Sequence, residues 1–253
     1  MGRGSSALAG GGGGAMVVGN VAENAEMLTE EQAEALRQQY ESGFDDATKK
    51  SIQKYISADS MDNKSHSPSQ VMNFLVSRGV DLNTATAEEI NAKYNLGITP
   101  KNVALMRQMN NNIDAAMHNL GADALLERGA HAGQITQLFG ADVAGYTSMS
   151  AADLSKAFVG KAFSNTAVWS TSYNTSKNPF LSSSSSQSGG REVIYRIKAG
   201  KNTQCVFGAT SQAEIVLGKG TKFRVTGASF TGKVAHPKSG GAIKQIVLDI
   251  ETF

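Results

Sequence analysis

The stretch "GATSQAEIVLGKG", residues 208–220, sets an amide, Gln212, and a carboxylate, Glu214, two positions apart ahead of Ile215, Val216 and Leu217. In a strand, that spacing places both side chains on one face. The amide can donate and accept a hydrogen bond, whereas the ionised acid only accepts. Two further stretches carry reactive polar groups. "WSTS", residues 169–172, alternates Trp169 and Thr171 with Ser170 and Ser172. Arg128 closes the apolar run "ALLERGA" just before Gly129, and its guanidinium is a permanent fork of donors. Taken singly, each has an ordinary reading. Serine and threonine are common at strand edges, and Arg128 could pair with Glu127 on the surface.

In this order, the Arg, the Ser-Thr-Ser and the Gln-x-Glu resemble the mono-ADP-ribosyltransferase family, in its Arg–Ser–Glu branch of clostridial binary toxins and Rho-modifying exoenzymes. "ATKKSIQKYIS", "MRQMNNNIDAAMHNL" and "QAEIVLGKGTKFRVTG" extend the likeness over roughly residues 30–253. The resemblance implies that the bond between nicotinamide and ribose in NAD is cleaved and ADP-ribose is passed to an acceptor. It casts Glu214 as the carboxylate that offsets positive charge on the ribose in an oxocarbenium-like transition state. Ser170 holds that carboxylate, and Arg128 grips the pyrophosphate. Trp169, Thr171 and Ser172 shape the nicotinamide site, and Gly129 lets backbone approach it. Arg107, Arg191 and Arg196 are the other guanidiniums that could fill the place of Arg128. In the family the position of Gln212 faces the acceptor. An amide there cannot pair with a guanidinium as a carboxylate would, which argues against an arginine acceptor and suits an Asn or Gln amide or a nucleobase edge. Phe207 is expected beside it on the acceptor-contacting turn.

The elements that must position these groups are legible in the caps. Thr29 with Gln32, Ser67-Pro68 with Gln70, and Thr86 with Glu89 read as helix starts. Further helices are expected from about Asp46, from Thr99-Pro100 along a stripe to Leu120, over "AGQITQLF", and after Ser150. From about Ala167 the period becomes two, and six strand segments follow, ending in "AIKQIVLDIETF". The expected class is α+β: N-terminal helices, then a mixed β-sandwich core of the ADP-ribosyltransferase type. Residues 1–25 read as a Gly-rich flexible tail and 26–253 as one domain, helical over 26–122 with its β core over 123–253. The Ser/Gly-rich stretch 174–190 reads as a mobile loop able to close over a ligand. "GASFTGKV", residues 227–234, has the glycine and lysine spacing of a phosphate loop. It lacks the Ser or Thr after the Lys and lies among strands.

Composition sets the remaining bounds. The 253 residues carry a net charge of +2, too little to argue for nucleic-acid binding by field alone. One cysteine excludes an internal disulfide. The four histidines show no metal-ligand spacing, so no metal is expected, while NAD as substrate is what the resemblance implies. No run reaches the ~20 apolar residues that cross a bilayer. The expected partner is a macromolecular acceptor, a protein ahead of DNA or RNA, met by a monomer or a component of a delivery assembly. No signal peptide is recognisable, so secretion or delivery by another route is expected. NAD hydrolysis and a non-catalytic virion or secretion-associated adaptor stand as alternatives.

Overall fold

A computed structural model describes residues 28–57, 66–140, 143–177, 191–235 and 243–253. The expected N-terminal tail and most of the Ser-rich loop lie outside the described residues.

The predicted caps close the helices. α1 (Glu30–Glu41), α3 (Pro68–Ser77), α4 (Ala87–Tyr94) and α5 (Pro100–Ala116) each begin with a reciprocal capping box, and Asp45 caps α2 (Asp46–Ile56). Each cap satisfies backbone donors that the first turn leaves open, worth about 1 kcal/mol apiece. α5 ends four residues short of the expected stripe. Met117 turns extended and β1 (His118–Asn119) pairs with β6 (Gln204–Phe207), while Leu120 enters the core from beyond the helix. Cross-strand pairing has overridden helical periodicity there.

The sheet among the described residues runs β1-β6-β7-β4-β2-β5-β9-β8-β3. Its other members are β2 (Ala124–Ala130), β3 (Ala162–Ser164), β4 (Trp169–Ser172), β5 (Val193–Ala199), β7 (Glu214–Leu217), β8 (Lys222–Ala235) and β9 (Ile243–Thr252). β5 and β9 are parallel and every other pair is antiparallel, so the sheet is mixed. "GASFTGKV" lies inside β8.

The sheet folds back on itself. Trp169 of β4 stacks on Phe223 of β8, and Ile215 and Leu217 share one core with Val225, Leu248 and Ile250. α6 (Ala132–Phe139), α7 (Val143–Thr147) and α8 (Ala151–Phe158) add Ile135, Tyr146, Leu154 and Phe158 to that core. The opposite face of β4, β6 and β7 carries Val168, Val206 and Val216 into a second core made by α2–α5. Three layers result: helices, one sheet half, the other half. Strand alternation then dictates where the polar set goes. Ser170 shares its face with Val168, and Glu214 shares its face with Val216, so both point toward the helical layer.

Candidate active site

β4 and β7 are paired Ser172 to Glu214 and Ser170 to Val216, which sets Ser170 diagonally across from Glu214 on one face. Glu214 is only 8% exposed. Its Oε2 accepts the amide of Ala209 at 3.1 Å. Burial pushes the carboxyl above its ordinary range, opposed by the Ala209 amide, the Ser170 hydroxyl and the Arg128 charge. Ser170 thus lies on the same face as the acid and near enough to favour its ionised form, and its Oγ is 3.2 Å from the Tyr55 hydroxyl of α2.

Arg128 sits in β2 between Leu126 and Ala130, whose side chains are buried in the sandwich core. Its guanidinium leaves that row toward β4. One Nη donates to the Ser170 carbonyl at 2.8 Å, and the group lies 5.1 Å above the Trp169 ring. β2 and β4 share a single ladder pair, Glu127 with Ser172, so Arg128 bridges strands that the backbone barely joins. Burial lowers its pKa, Tyr55, Tyr195 and Glu214 raise it, and the neighbouring Arg191 charge lowers it. Its Nε is buried without a hydrogen-bond partner among the described residues, as is the Tyr195 hydroxyl.

The other arginines separate by position. Arg107 donates to the carbonyls of Leu82 and Ala85 in the helical layer. Arg196 pairs with Glu127 at 3.4 Å and is exposed. Arg191 alone joins Arg128 electrostatically. It contacts His131, whose Nδ1 lies 3.1 Å from the buried Glu192 carboxylate at the start of α6.

The rest of Trp-Ser-Thr-Ser fastens the strands. Thr171 Oγ1 donates to the Ile215 carbonyl at 2.7 Å, and Ser172 Oγ lies 3.0 Å from the Gln212 carbonyl. Trp169, 4% exposed, is packed among Phe163, Tyr195 and Phe223 and reaches the site through Arg128. Gly129 lies opposite Ile194 in the β2–β5 ladder.

Two expectations need correction. Gln212 is not a strand residue. Thr210–Gln212 forms one 3-10 turn, and Ala213 then adopts a left-handed conformation (φ 48°) before β7 begins at Glu214. That costs a non-glycine residue about 1 kcal/mol, and it breaks the alternation that would set Gln212 and Glu214 on one face. Gln212 stays half-buried on the turn. Phe207 is not on the turn's surface either. It ends β6, 4% exposed, with its ring 5.8 Å from that of His118. Cross-strand pairing to Ile215 draws it inward.

Beside the turn opens a cleft of ≈ 380 Å³, lined by Arg37, Lys49, Gln53 and Phe44 of the α1–α2 segment and by residues 208–211. Gly208 forms part of this wall and also lies under the acid. A Cβ there would sit 2.8 Å from Cδ and 2.9 Å from Cγ of Glu214. Gly208→Ala is therefore expected to push the carboxylate off its Ala209 amide. Carboxyl-carbon NMR should then show Glu214 titrating at higher pH than in the unsubstituted chain, because that amide favours the ionised form; an unmoved midpoint would show that the carboxylate keeps its donor.

A helical layer lies on a folded mixed sheet, with acid, hydroxyl and guanidinium at their junction, the arrangement that the resemblance to ADP-ribosyl-transferring enzymes implies. The solved structures agree in fold. The chain superposes on Plx2a, an ADP-ribosyltransferase toxin from Paenibacillus larvae, with a TM-score of 0.54 at 16% identity, covering 88% of this chain and 94% of that one. C3stau2 from S. aureus, solved with NAD, gives 0.57 at 12% identity, covering 90% and 96%. BECa, the ADP-ribosylating toxin of a binary enterotoxin of C. perfringens solved with NADH, gives 0.58 at 13%, covering 90% of this chain and 49% of that one. No curated protein matches the sequence. The sequence profile of the ADP-ribosyltransferase exoenzymes matches residues 20–252, and the chain belongs to that family. It is an NAD-dependent mono-ADP-ribosyltransferase, moving ADP-ribose from NAD to an acceptor. No helix among the described residues is long and apolar enough to cross a membrane. The described residues hold no group of three or more His, Cys, Asp and Glu placed to take a metal ion.

Proposed function

We propose that Glu214 is the acid that offsets positive charge on the ribose, that Ser170 holds it, and that Arg128 and Arg191 grip the diphosphate. Gln212, on this reading, faces a carboxamide side chain, Asn or Gln, of a target protein. The observation that carries this is the convergence of Ser170 and Arg128 on the buried Glu214. NAD supplies, when bound, a glycosidic bond whose leaving group is a neutral nicotinamide. The residues suit it. Arg128 has a buried donor, Nε, without a partner among the described residues, and the Arg128 and Arg191 charges repel each other. A diphosphate between them would relieve that repulsion and take the donor.

Gln212 supports the acceptor class. It lies on the turn between the cleft wall and Glu214, so on this reading an acceptor that approaches Glu214 meets its amide, which matches a partner that both donates and accepts. The net charge of +2 favours a protein over a nucleic acid. The exoenzyme family supports action on a macromolecule of another cell, reached by secretion or direct delivery.

The test is incubation with NAD labelled in its ADP-ribose part, alone and with target-cell lysate. Label on a macromolecule that resists nuclease and yields to protease supports the proposal. Label lost to nuclease moves the acceptor to nucleic acid, and nicotinamide release without labelling leaves a glycohydrolase. Gln212→Ala should lower transfer about tenfold while leaving nicotinamide release within about twofold. Equal loss of both would remove Gln212 from the acceptor side.

A further inference from the structure

The helical layer touches the proposed acid through one polar contact that the roles above do not use. Tyr55 lies on the buried face of α2 with Ser51 and Ile52. It is 4% exposed, yet its hydroxyl is not spent on the helices alone. It lies 3.2 Å from Ser170 Oγ on one side and accepts the Asn73 amide of α3 at 2.9 Å on the other.

The direction of this chain follows from proton counting. Where Glu214, which when ionised can only accept, takes a bond from Ser170, that hydroxyl spends its single proton on the carboxylate. Ser170 Oγ is then free to accept, and Tyr55 supplies that proton. The Tyr55 oxygen in turn accepts from the Asn73 NH₂ group, and Asn73 Oδ1 has no partner among the described residues. Every donor points toward Glu214. Aligned hydrogen bonds of this kind polarise one another in a poorly solvated setting.

We infer that Tyr55, anchored by Asn73, is a positioning residue of this site: it orients the Ser170 hydroxyl so that Ser170 donates to Glu214, coupling the helical layer to the acid. The inference rests on the role proposed above for Glu214. Among the described residues the ionisable and charged groups acting on that carboxylate are Arg128 of β2 and Tyr55 of α2; the Ala209 amide donates to it, and the nearby Ser170 hydroxyl of β4 favours its ionised form. Losing the Tyr55 hydroxyl leaves Ser170 free to turn away, so the ionised acid loses support while the protonated acid loses little.

Three measurements on the full chain test this. In the ligand-free protein, carboxyl-carbon NMR should show Glu214 titrating at higher pH in Tyr55→Phe than in wild type; an unmoved midpoint overturns the inference. Tyr55→Phe should lower kcat for nicotinamide release about tenfold, with KM for NAD within about twofold. In a Ser170→Ala background the same change should cost nothing further, because the chain is already cut. Equal loss in both backgrounds overturns the inference, whatever the thermal midpoints. Asn73→Ala, at a half-buried site, should move kcat and the Glu214 midpoint in the same directions by less. If wild type releases no nicotinamide while Tyr55→Phe still shifts the Glu214 midpoint, the proposed reaction fails and the relay stands.

Discussion

Glu214→Gln is expected to lower nicotinamide release by about a thousandfold, with or without acceptor, while the protein folds as before. The two side chains have nearly the same shape. The amide oxygen can keep the Ala209 donor, and the side chain can still lie over Gly208. What disappears is the negative charge. A neutral amide cannot offset positive charge that builds on the ribose only in the transition state, so the loss falls on kcat. Stability should not fall with it. Burial of Glu214 raises its carboxyl pKa, which marks the ionised form as costly to desolvate. Removing that charge should leave the thermal midpoint unchanged or higher. The same cause fixes a pH dependence. In the role proposed for Glu214 only the carboxylate is active, so wild-type activity should fail as pH drops through a midpoint above the ordinary carboxylate range. The residual activity of the Gln variant should lack that limb. A variant that keeps near wild-type nicotinamide release would remove Glu214 from the chemistry.

The parts of this site that were legible from sequence are those written in local chemistry. Thr29-x-x-Gln32 and Ser67-Pro68-x-Gln70 predict helix starts because a cap involves only neighbours. The period-two run around Val168, Ser170 and Ser172 predicts a strand with its hydroxyls on one face, and the β4–β7 register sets them beside Glu214. The Gln-x-Glu spacing misled for an equally local reason. Nothing in "TSQAE" signals that Ala213, a residue without a turn preference, takes a left-handed conformation. Gln212 therefore leaves the strand although its spacing from Glu214 suggests otherwise. Tyr55 packs on the buried face of α2 beside Ser51 and Ile52. Its hydroxyl meets Ser170 across 115 residues of sequence, a contact that periodicity cannot reveal. Phe207 is buried at the end of β6 instead of standing on the turn, because its pairing with Ile215 carries it into the core. The choice of Arg128 over Arg107 and Arg196 likewise depended on tertiary partners. Arg196 meets Glu127 across the ladder, and Arg107 is held by helix-layer carbonyls.

Arg128→Lys, which keeps the charge, is expected to lower kcat/KM for NAD about a hundredfold, mostly through KM. The guanidinium has several tasks at once. It donates to the Ser170 carbonyl, lies over the Trp169 ring, and has a buried Nε without a partner among the described residues, which the proposed diphosphate would take. A planar fork can do all three because its donors point in fixed, different directions. An ammonium is a compact point charge that must choose among them, and it is more costly to desolvate in this row between Leu126 and Ala130. If it stays with the Ser170 carbonyl, the diphosphate loses its bidentate partner and KM rises. If it turns to the diphosphate, the junction between β2 and β4 keeps only the Glu127–Ser172 pair, Ser170 shifts against Glu214, and kcat falls. The two losses should therefore appear together, with KM the larger. Arg196→Lys is the control for charge-conserving change on a neighbouring strand and should stay within about twofold, since Arg196 is exposed and paired away from the site. An Arg128→Lys enzyme with wild-type KM, beside an Arg191→Lys enzyme that has lost it, would transfer the diphosphate to Arg191 and leave Arg128 as the brace of the β4 strand.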